Sequence, residues 1–305
     1  MNKTFDFAKH KVKFLLLPLI IIVLGLVMYF VRGGFNFDVE FMGGIRMQVN
    51  VGTSFKNSEI EKIVEDATGL DAVIQSGTTT DIAIIKLPAS ESTEKDEENK
   101  NKAFDALKDE YKLEDEALMS AQSADPSFGK EVQGKAISFT LLAILAILIY
   151  IIFRFDLKSG IMAIFVLVIN VLVMASVYTI TNIALNTTFI AAMLTVIGYS
   201  INNTIVIFDR IRENKRLRRR DETINAMTNR SIAETMGRTV NSTITTLITV
   251  ILIYILGVES IKQFALPLII GIIAGAYTSI FVASTYWSAW ENASAKAKAN
   301  KALKK

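Results

Sequence analysis

The sequence contains no cysteine and only one histidine, His10, among its 305 residues. The absence of cysteine excludes disulfides, thiolate chemistry and most zinc sites. A single histidine does not supply a histidine-based catalytic triad or a histidine metal cage. Because no nucleophile–base pair or metal-ligand set can be assembled from the remaining residues, the sequence predicts neither an enzyme nor a metal protein.

Apolar residues, by contrast, make up 51% of the chain. A membrane-spanning helix needs about 20 of them in succession. The first run, 14–31, is longer than the apolar part of a secretory signal peptide, and no A-x-A-like cleavage site follows it, so we interpret it as a retained anchor. Six spans are predicted in total, at 14–31, about 136–153, 160–181, 184–208, 240–257 and 262–287.

The distribution of lysine and arginine predicts the orientation of these spans. The basic segments are the N-terminus 1–13, the link that contains Arg154 and Lys158, the loop 209–237 and the tail 291–305. With six spans they all fall on one side, which the positive-inside rule makes cytoplasmic. The polar segment 32–133 is then extracytoplasmic, and residues 134–290 form a five-helix transmembrane bundle.

The polar segment has the sequence pattern of a small α+β domain. Ser58 and Glu61 have the spacing of a capping box at the start of its first helix. The predicted order is strand 45–51, helix 57–67, strands 71–77 and 80–87, helix near 99–112 and strand 116–124. This β-α-β-β-α-β order is ferredoxin-like, and it indicates a fold without indicating a function.

Several polar residues lie inside the predicted spans. In the fourth span, Ser200, Asn203 and Thr204 follow i, i+3, i+4 spacing and share one helix face, whereas Asn202 points elsewhere. Asn170 lies near the middle of the third span. Such residues mark an ion or substrate pathway or a helix–helix contact. Hydrogen bonding between packed helices is the more ordinary role for serine and threonine.

The fifth span begins with a polar stripe at helical spacing, formed by Arg238, Asn241, Ser242, Thr245 and Thr249. Asn203 lies six residues before Asp209, about 9 Å along a helix. Arg238 precedes the apolar part of its own span on the same side of the membrane. We therefore expect the Asn203 face to meet Arg238, although an arginine at the end of a span can also snorkel to the interface.

Two further patterns have simple interpretations. The basic stretch "DRIRENKRLRRRDE" is typical of a loop beside anionic lipid. It lacks the aromatic residues or the basic fold that would indicate nucleic-acid binding. Gly271 and Gly275 have G-x-x-x-G spacing in the last span, which favours close helix packing.

Taken together, five stretches resemble the SecD/SecF family of protein-export membrane proteins, within the resistance-nodulation-division superfamily, and in particular its SecF-type members. The stretches are "FNFDVEFMGG", "ADPSFGKE", "IGYSINNTIVIFDRIREN", "GRTVNSTITTL" and "GAYTSIFVAS". The residues that carry the family signature are Gly43, Gly44, Gly198, Tyr199, Asp209, Arg210, Arg212, Glu213 and Asn214. The resemblance covers nearly the whole chain.

The resemblance implies a function in protein export across the cytoplasmic membrane of a prokaryote. SecF-type chains pair with a SecD-like subunit, assist the SecYEG channel, and draw preproteins outward at the expense of an ion gradient. YajC- or YidC-like proteins are further partners that the resemblance implies. No organic cofactor is expected, and the coupling ion would be H⁺ or Na⁺.

This chain departs from the family at its ion path. The family has an acid where Asn203 stands, and commonly His-Asp where Ile169 and Asn170 stand; the arginine is kept as Arg238. An amide does not exchange protons near neutral pH. Three explanations are open: the titrating carboxylate lies on a SecD-like partner, with Arg238 tuning its pKa; Na⁺ is bound by oxygens of Asn170, Asn203, Ser200, Thr204 or Asn241; or the chain is a passive structural partner. A small-molecule exporter half of the same superfamily is a further alternative.

Overall fold

A computed structural model describes residues 5–77, 81–90, 92–154, 156–219 and 221–303. These residues form two compact units. The α+β unit consists of Asn36–Ser138 and the connecting segment Ala184–Thr187. The helical unit contains the described parts of Met1–Phe35, Phe139–Ile183 and Thr188–Lys305.

Among the described residues, 3₁₀ turns lie at Ala8–His10 and Asp115–Ala117, and a π-helical segment at Thr278–Ala283 separates the last two helices. The other elements are, in chain order, α1 (Lys11–Val31), α2 (Val39–Met42), β1 (Gly44–Asn50), α3 (Asn57–Thr68), β2 (Val73–Ser76), β3 (Ile82–Leu87), α4 (Thr93–Tyr111), β4 (Leu118–Ala124), α5 (Pro126–Arg154), α6 (Leu157–Thr181), α7 (Thr187–Arg216), α8 (Ile224–Leu256), α9 (Glu259–Tyr277) and α10 (Ser284–Leu303).

The α+β unit contains a four-stranded antiparallel sheet in the order β2-β3-β1-β4. From β1 to β4 the order of strands and of helices α3 and α4 is the predicted one, whereas helix α2, ahead of β1, was not predicted. Alternate residues of the central strand β1 project to the same side of the sheet, and Ile45, Met47 and Val49 are all fully buried. They share one hydrophobic core with Ile60 and Val64, which lie one turn apart on α3. Burial of this apolar surface is the main stabilisation of the unit.

In this unit the predicted start of the first helix was right but its predicted cap was wrong, and the predicted start of the second helix was wrong. Helix α3 begins at Asn57 and its cap position is Lys56, so Ser58 lies inside the helix and does not cap it. Helix α4 begins at Thr93, ahead of its predicted start near residue 99. The side chain of Ser92 accepts a hydrogen bond from the Lys95 amide. Acidic residues occupy the first turn, where they interact favourably with the positive end of the helix dipole.

A buried carboxylate fixes the chain ahead of β1. Asp38 is 1% exposed, and its two oxygens lie 3.5 Å from a nitrogen of Arg46 and 3.6 Å from Nζ of Lys86. It also accepts a hydrogen bond from the Val39 amide at 2.9 Å. Burial lowers the pKa of the Lys86 ammonium; Asp38 opposes that shift and Arg46 adds to it. Because all three charges are largely buried, each depends on the others for compensation.

The adjacent residues bind the connecting segment Ala184–Thr187 within the α+β unit. The carboxylate of Glu40 accepts hydrogen bonds from the backbone amide of Thr187, at 2.8 Å, and from its hydroxyl, at 2.5 Å. The backbone of Asp38 donates to the carbonyl of Leu185 at 2.8 Å. Thr187 is the first residue of α7, so Glu40 satisfies a backbone donor that the helix itself leaves free.

The two glycines of the family signature permit this arrangement. Gly43 and Gly44 have φ values of 82° and 117°, which side chains with a Cβ rarely adopt. A Cβ added to Gly44 would lie 2.2 Å from the carbonyl oxygen of Leu87 on the neighbouring strand. The turn into β1 therefore requires glycine both for its backbone angle and for its close approach to β3.

Among its described residues, the helical unit contains five helices that are long and apolar enough to cross a membrane. They extend over Ala8–Val31, Leu157–Thr181, Thr187–Arg216, Ile224–Leu256 and Ile261–Lys301. The additional predicted span, at about 136–153, falls in α5, where the apolar stretch found among the described residues is the shorter Ser138–Ile151. Much of the basic segment 209–237 is helical, because α7 continues to Arg216 and α8 begins at Ile224. The side chain of Thr223 caps α8 by accepting a hydrogen bond from the Ala226 amide.

We predict that Asp38→Ala destabilises the α+β unit by about 3–5 kcal/mol, because it removes the buried carboxylate that lies against the charges of Arg46 and Lys86. Hydrogen–deuterium exchange of the β1 and β3 amides in the detergent-solubilised full chain measures this. The matched control is Asp71→Ala, which removes an exposed carboxylate from the same unit and should change the free energy by less than about 0.5 kcal/mol. Equal protection in the two variants would contradict the structural role of Asp38.

Candidate intramembrane polar site

Three polar side chains of α7 lie on one buried face. Ser200, Asn203 and Thr204 are at most 2% exposed, whereas Asn202 is exposed on another side of the helix. This is the division that i, i+3, i+4 spacing predicts. The hydroxyl of Thr204 also donates to the carbonyl of Ser200 one turn earlier, at 3.1 Å.

Asn170 of α6 connects α7 to the last membrane-spanning helix. Its amide nitrogen donates to the Ser200 hydroxyl at 2.6 Å, and its amide oxygen accepts from the Thr278 hydroxyl at 2.7 Å. Asn170 is 1% exposed, so these bonds replace the water that both ends of the amide would otherwise bind. Three separate elements thus meet at one side chain.

The π-helical segment supplies the third side of this cluster. Its first two residues are Thr278 and Ser279. The Ser279 hydroxyl lies 2.8 Å from the hydroxyl of Thr204 and 3.3 Å from the carbonyl of Ser200. Short π segments occur often at functional sites because they turn side chains and backbone groups out of the regular pattern. Spacing rules that assume 3.6 residues per turn did not single out Thr278 or Ser279.

Two glycines of α9 allow the helices to approach closely enough for these bonds. A Cβ added to Gly275 would lie 3.1 Å from the Cβ and hydroxyl of Ser200. One added to Gly271 would lie 2.5 Å from a methyl group of Val196. The structure therefore places both residues of the G-x-x-x-G pattern against α7, where only hydrogen fits without a shift of the neighbouring helix.

Asn203 differs from its neighbours in the cluster. It is 2% exposed, and its amide nitrogen has no hydrogen-bond partner among the described residues. The Tyr199 hydroxyl, four residues earlier, is also buried without a partner there. Burying an unpaired amide or hydroxyl costs about 1–3 kcal/mol. The cost marks this part of α7 as incompletely satisfied within the described part of the chain.

The expected contact between the Asn203 face and Arg238 was wrong. Arg238 is exposed, and no hydrogen bond or ion pair joins it to another described residue. Helix α8 instead buries Thr239 and Thr243, which lie one turn apart on a different face. Asn241, Ser242, Thr245 and Thr249 are exposed together with Arg238. The spacing predicted a shared stripe correctly, but it could not show which way the stripe faces.

The signature residues at the end of α7 form a polar network with α8. Arg210 binds Glu234 at 2.7 Å and Glu213 at 2.6 Å. The Asn214 amide donates to the Ser231 hydroxyl at 2.9 Å and to Glu234 at 2.7 Å. These bonds hold the two helices together beyond the apolar part of the bundle, so the "FDRIREN" stretch has a definite structural role.

The family model for the SecD/SecF protein export membrane proteins, C-terminal part, matches residues 104–293. This range includes every residue of the polar cluster. The chain belongs to the SecD/SecF family of protein export membrane proteins. The resemblance recognised from the sequence motifs is thereby confirmed.

Its relatives occur as separate and as fused chains. The chain is 33% identical to the protein translocase subunit SecF of Thermobaculum terrenum, over 94% of both proteins. It is 31% identical to the protein translocase subunit SecDF of Bacillus subtilis, over 94% of this chain but 38% of that one. The SecF-like part of a fused SecDF protein therefore corresponds to almost all of this chain.

The fold is also similar to solved structures. SecDF from Thermus thermophilus, described as a translocon-associated membrane protein, matches with a TM-score of 0.83 and 30% identity, over 95% of this chain and 39% of that one. A SecDF structure in a super-membrane-facing form matches with a TM-score of 0.69 and 29% identity. The chain is thus a multi-pass membrane protein with the fold of the SecF-like part of SecDF.

We predict that Gly275→Val destabilises the helical unit by about 1–3 kcal/mol, because the added methyl groups push α9 away from Ser200 and Asn170. The thermal unfolding midpoint in detergent should fall accordingly. Gly198→Val is the matched control: a Cβ at exposed Gly198 meets no atom within 4 Å. A midpoint equally lowered by both substitutions would show that helix propensity, and not packing, causes the loss.

Proposed function

We propose that this protein is a SecF-type subunit that works with a SecD-like partner in Sec-dependent protein translocation across the cytoplasmic membrane, using an ion gradient. In this proposal the chain has six spans, a ferredoxin-like extracytoplasmic domain and cytoplasmic termini. The partner complex assists SecYEG and acts on translocating preproteins. The single observation that carries the proposal furthest is the exposed polar stripe on α8.

The exposed polar stripe would be energetically unfavourable if α8 faced lipid. Helix α8 is long and apolar enough to span a membrane, yet Arg238, Asn241 and Thr245 project away from the helices that α8 contacts. Ionisable residues in spans normally face a bundle interior or a water-filled cavity. A second bundle placed against α8 would convert this exposed face into an interior one.

The fused relatives indicate which chain supplies that bundle. In the SecDF proteins, a SecF-like part that corresponds to this chain is continuous with a further part that makes up more than half of the polypeptide. Where SecF is a separate chain, a SecD-like protein is the natural counterpart. This supports a heterodimer with a SecD-like subunit.

The arrangement of polar groups favours a partner's carboxylate as the titrating group. Asn170 is already bonded through both ends of its amide, and Ser200 and Thr204 bond to their neighbours. A Na⁺ ion would have to displace several of these bonds. Arg238, in contrast, is exposed and unpaired among the described residues. A guanidinium in that position would stabilise the ionised form of a carboxylate on the partner.

We predict that Arg238→Ala abolishes the stimulation of preprotein export by the ion gradient when the full chain is expressed with its SecD-like partner. Asn203→Ala should have a mild effect, since it removes an amide that already lacks a partner for its nitrogen. Arg216→Ala is the control for loss of an exposed arginine outside the stripe. Gradient-dependent export that survives in Arg238→Ala would instead favour a passive structural role for this chain.

A separate prediction tests the Na⁺ alternative. If a partner carboxylate carries protons, export measured with a fixed pH gradient should be the same in Na⁺ and K⁺ buffers. A Na⁺ requirement that disappears in Asn203→Ala would contradict H⁺ as the coupling ion and would make Asn203 a ligand of Na⁺. Asn202→Ala, on the exposed side of the same helix, is the matched control.

A further inference from the structure

A cavity of about 380 Å³ opens between the start of α1, the start of α8 and one face of α10. It exists because small residues, Ala8, Ala289 and Ala293, stand where larger side chains would close it. On α10 the lining positions extend from Thr285 to Lys296 on one face of the helix, a distance of about 16 Å. The result is a groove that follows the axis of α10.

The groove is positively charged and lacks a counter-charge. Lys11 and Lys296 line it, no carboxylate is among its described lining residues, and neither lysine forms a hydrogen bond or ion pair with a described residue. Other lysines of this region are paired: Lys158 and Lys215 bind Glu291 at 2.6 and 2.8 Å. Two uncompensated ammonium groups at one cavity attract an anion, and phosphate is the one that lysine commonly binds.

Hydrogen bonds hold the walls of the groove in place. The backbone amide of Ala8 donates to the side chain of Asn229 on α8 at 3.0 Å. The side-chain oxygen of Asn225 accepts from Ser288 and Asn292 of α10, at 2.8 and 2.7 Å. All three walls are therefore fixed before a ligand arrives, which reduces the entropy lost on binding.

The depth of the groove indicates the source of the phosphate. Helix α1 begins at Lys11, and the apolar run of that helix begins three residues later at Phe14, about 5 Å along the axis. This places the ammonium in the headgroup layer of the bilayer. We propose that the groove binds the headgroup of one anionic phospholipid, with Lys11 and Lys296 on its phosphate. This site is independent of the proposed export function, because it needs only the membrane location.

Native mass spectrometry of the full chain, titrated with dioleoylphosphatidylglycerol or dioleoylphosphatidylcholine, tests the proposal. The double variant Lys11→Gln/Lys296→Gln should weaken the first phosphatidylglycerol site by roughly 30-fold, from about 1 kcal/mol for each lysine near the membrane surface. Binding of phosphatidylcholine should be unchanged. Ala293→Trp, which fills the groove without altering charge, should weaken the same site.

The matched control is Lys13→Gln/Lys298→Gln, which removes two exposed lysines from the same helices outside the groove. If this control weakens phosphatidylglycerol binding as much as the test variant does, the effect is general surface charge and the specific site is refuted. Equal wild-type affinity for the two lipids refutes it as well. Displacement of the lipid by an equal concentration of inorganic phosphate would identify a free-anion site in its place.

Discussion

A polar group that enters the hydrocarbon layer is costly unless it finds a hydrogen-bond partner there, and the Asn170 side chain of the helical unit meets this requirement at both ends of its amide. The Asn170 amide donates to Ser200 and accepts from Thr278. These two bonds fix α6 against α7 and against the π-helical segment. The glycines of α9 allow the helices to approach closely enough for these bonds. With larger residues at these positions the helices would separate, and both ends of the Asn170 amide would be left unpaired.

The same requirement separates the polar residues of the bundle into two classes. Those of the cluster around Asn170 bond to one another, except that the Asn203 amide nitrogen has no partner among the described residues. Those of the α8 stripe, including Arg238, are exposed and have no side-chain partner among the described residues. A protein that needed only a stable fold could bear apolar residues at those positions. Their retention on a span-length helix is the physical reason to infer a partner bundle.

The sequence predicted the parts of this structure that depend on local pattern. Five of the six predicted apolar runs coincide with helices long enough to span a membrane. Alternation located β1, and i, i+3, i+4 spacing placed Ser200, Asn203 and Thr204 on one buried face. Facing directions were less predictable. Helical spacing groups Arg238 with Asn241, but only the packing of α8 on its neighbours decides that this face is the exposed one.

Other features escaped prediction because they depend on tertiary contacts. The π-helical turn that directs Thr278 and Ser279 toward α6 and α7 has no periodic signal, since it is itself a break in the period. The buried charge cluster of Asp38 joins residues far apart in sequence, and a buried carboxylate cannot be told from an exposed one by composition. Helix α4 started early because the effect of Ser92 and the acidic first turn outweighed the low apolar content of the stretch.

The contacts of the polar cluster show what an amide at position 170 does that a carboxylate would not do. A carboxylate at position 170 could not donate the bond that the Asn170 amide gives to Ser200 unless it were protonated. The amide therefore gives the cluster one fixed bonding pattern at every pH, whereas an acid would switch between two. Neither Asn170 nor Asn203 can exchange protons near neutral pH, and the permanent positive charge of Arg238 lies exposed on α8. In the proposed function the titrating step therefore belongs to a carboxylate of the partner, and Arg238 stabilises the ionised form of that carboxylate.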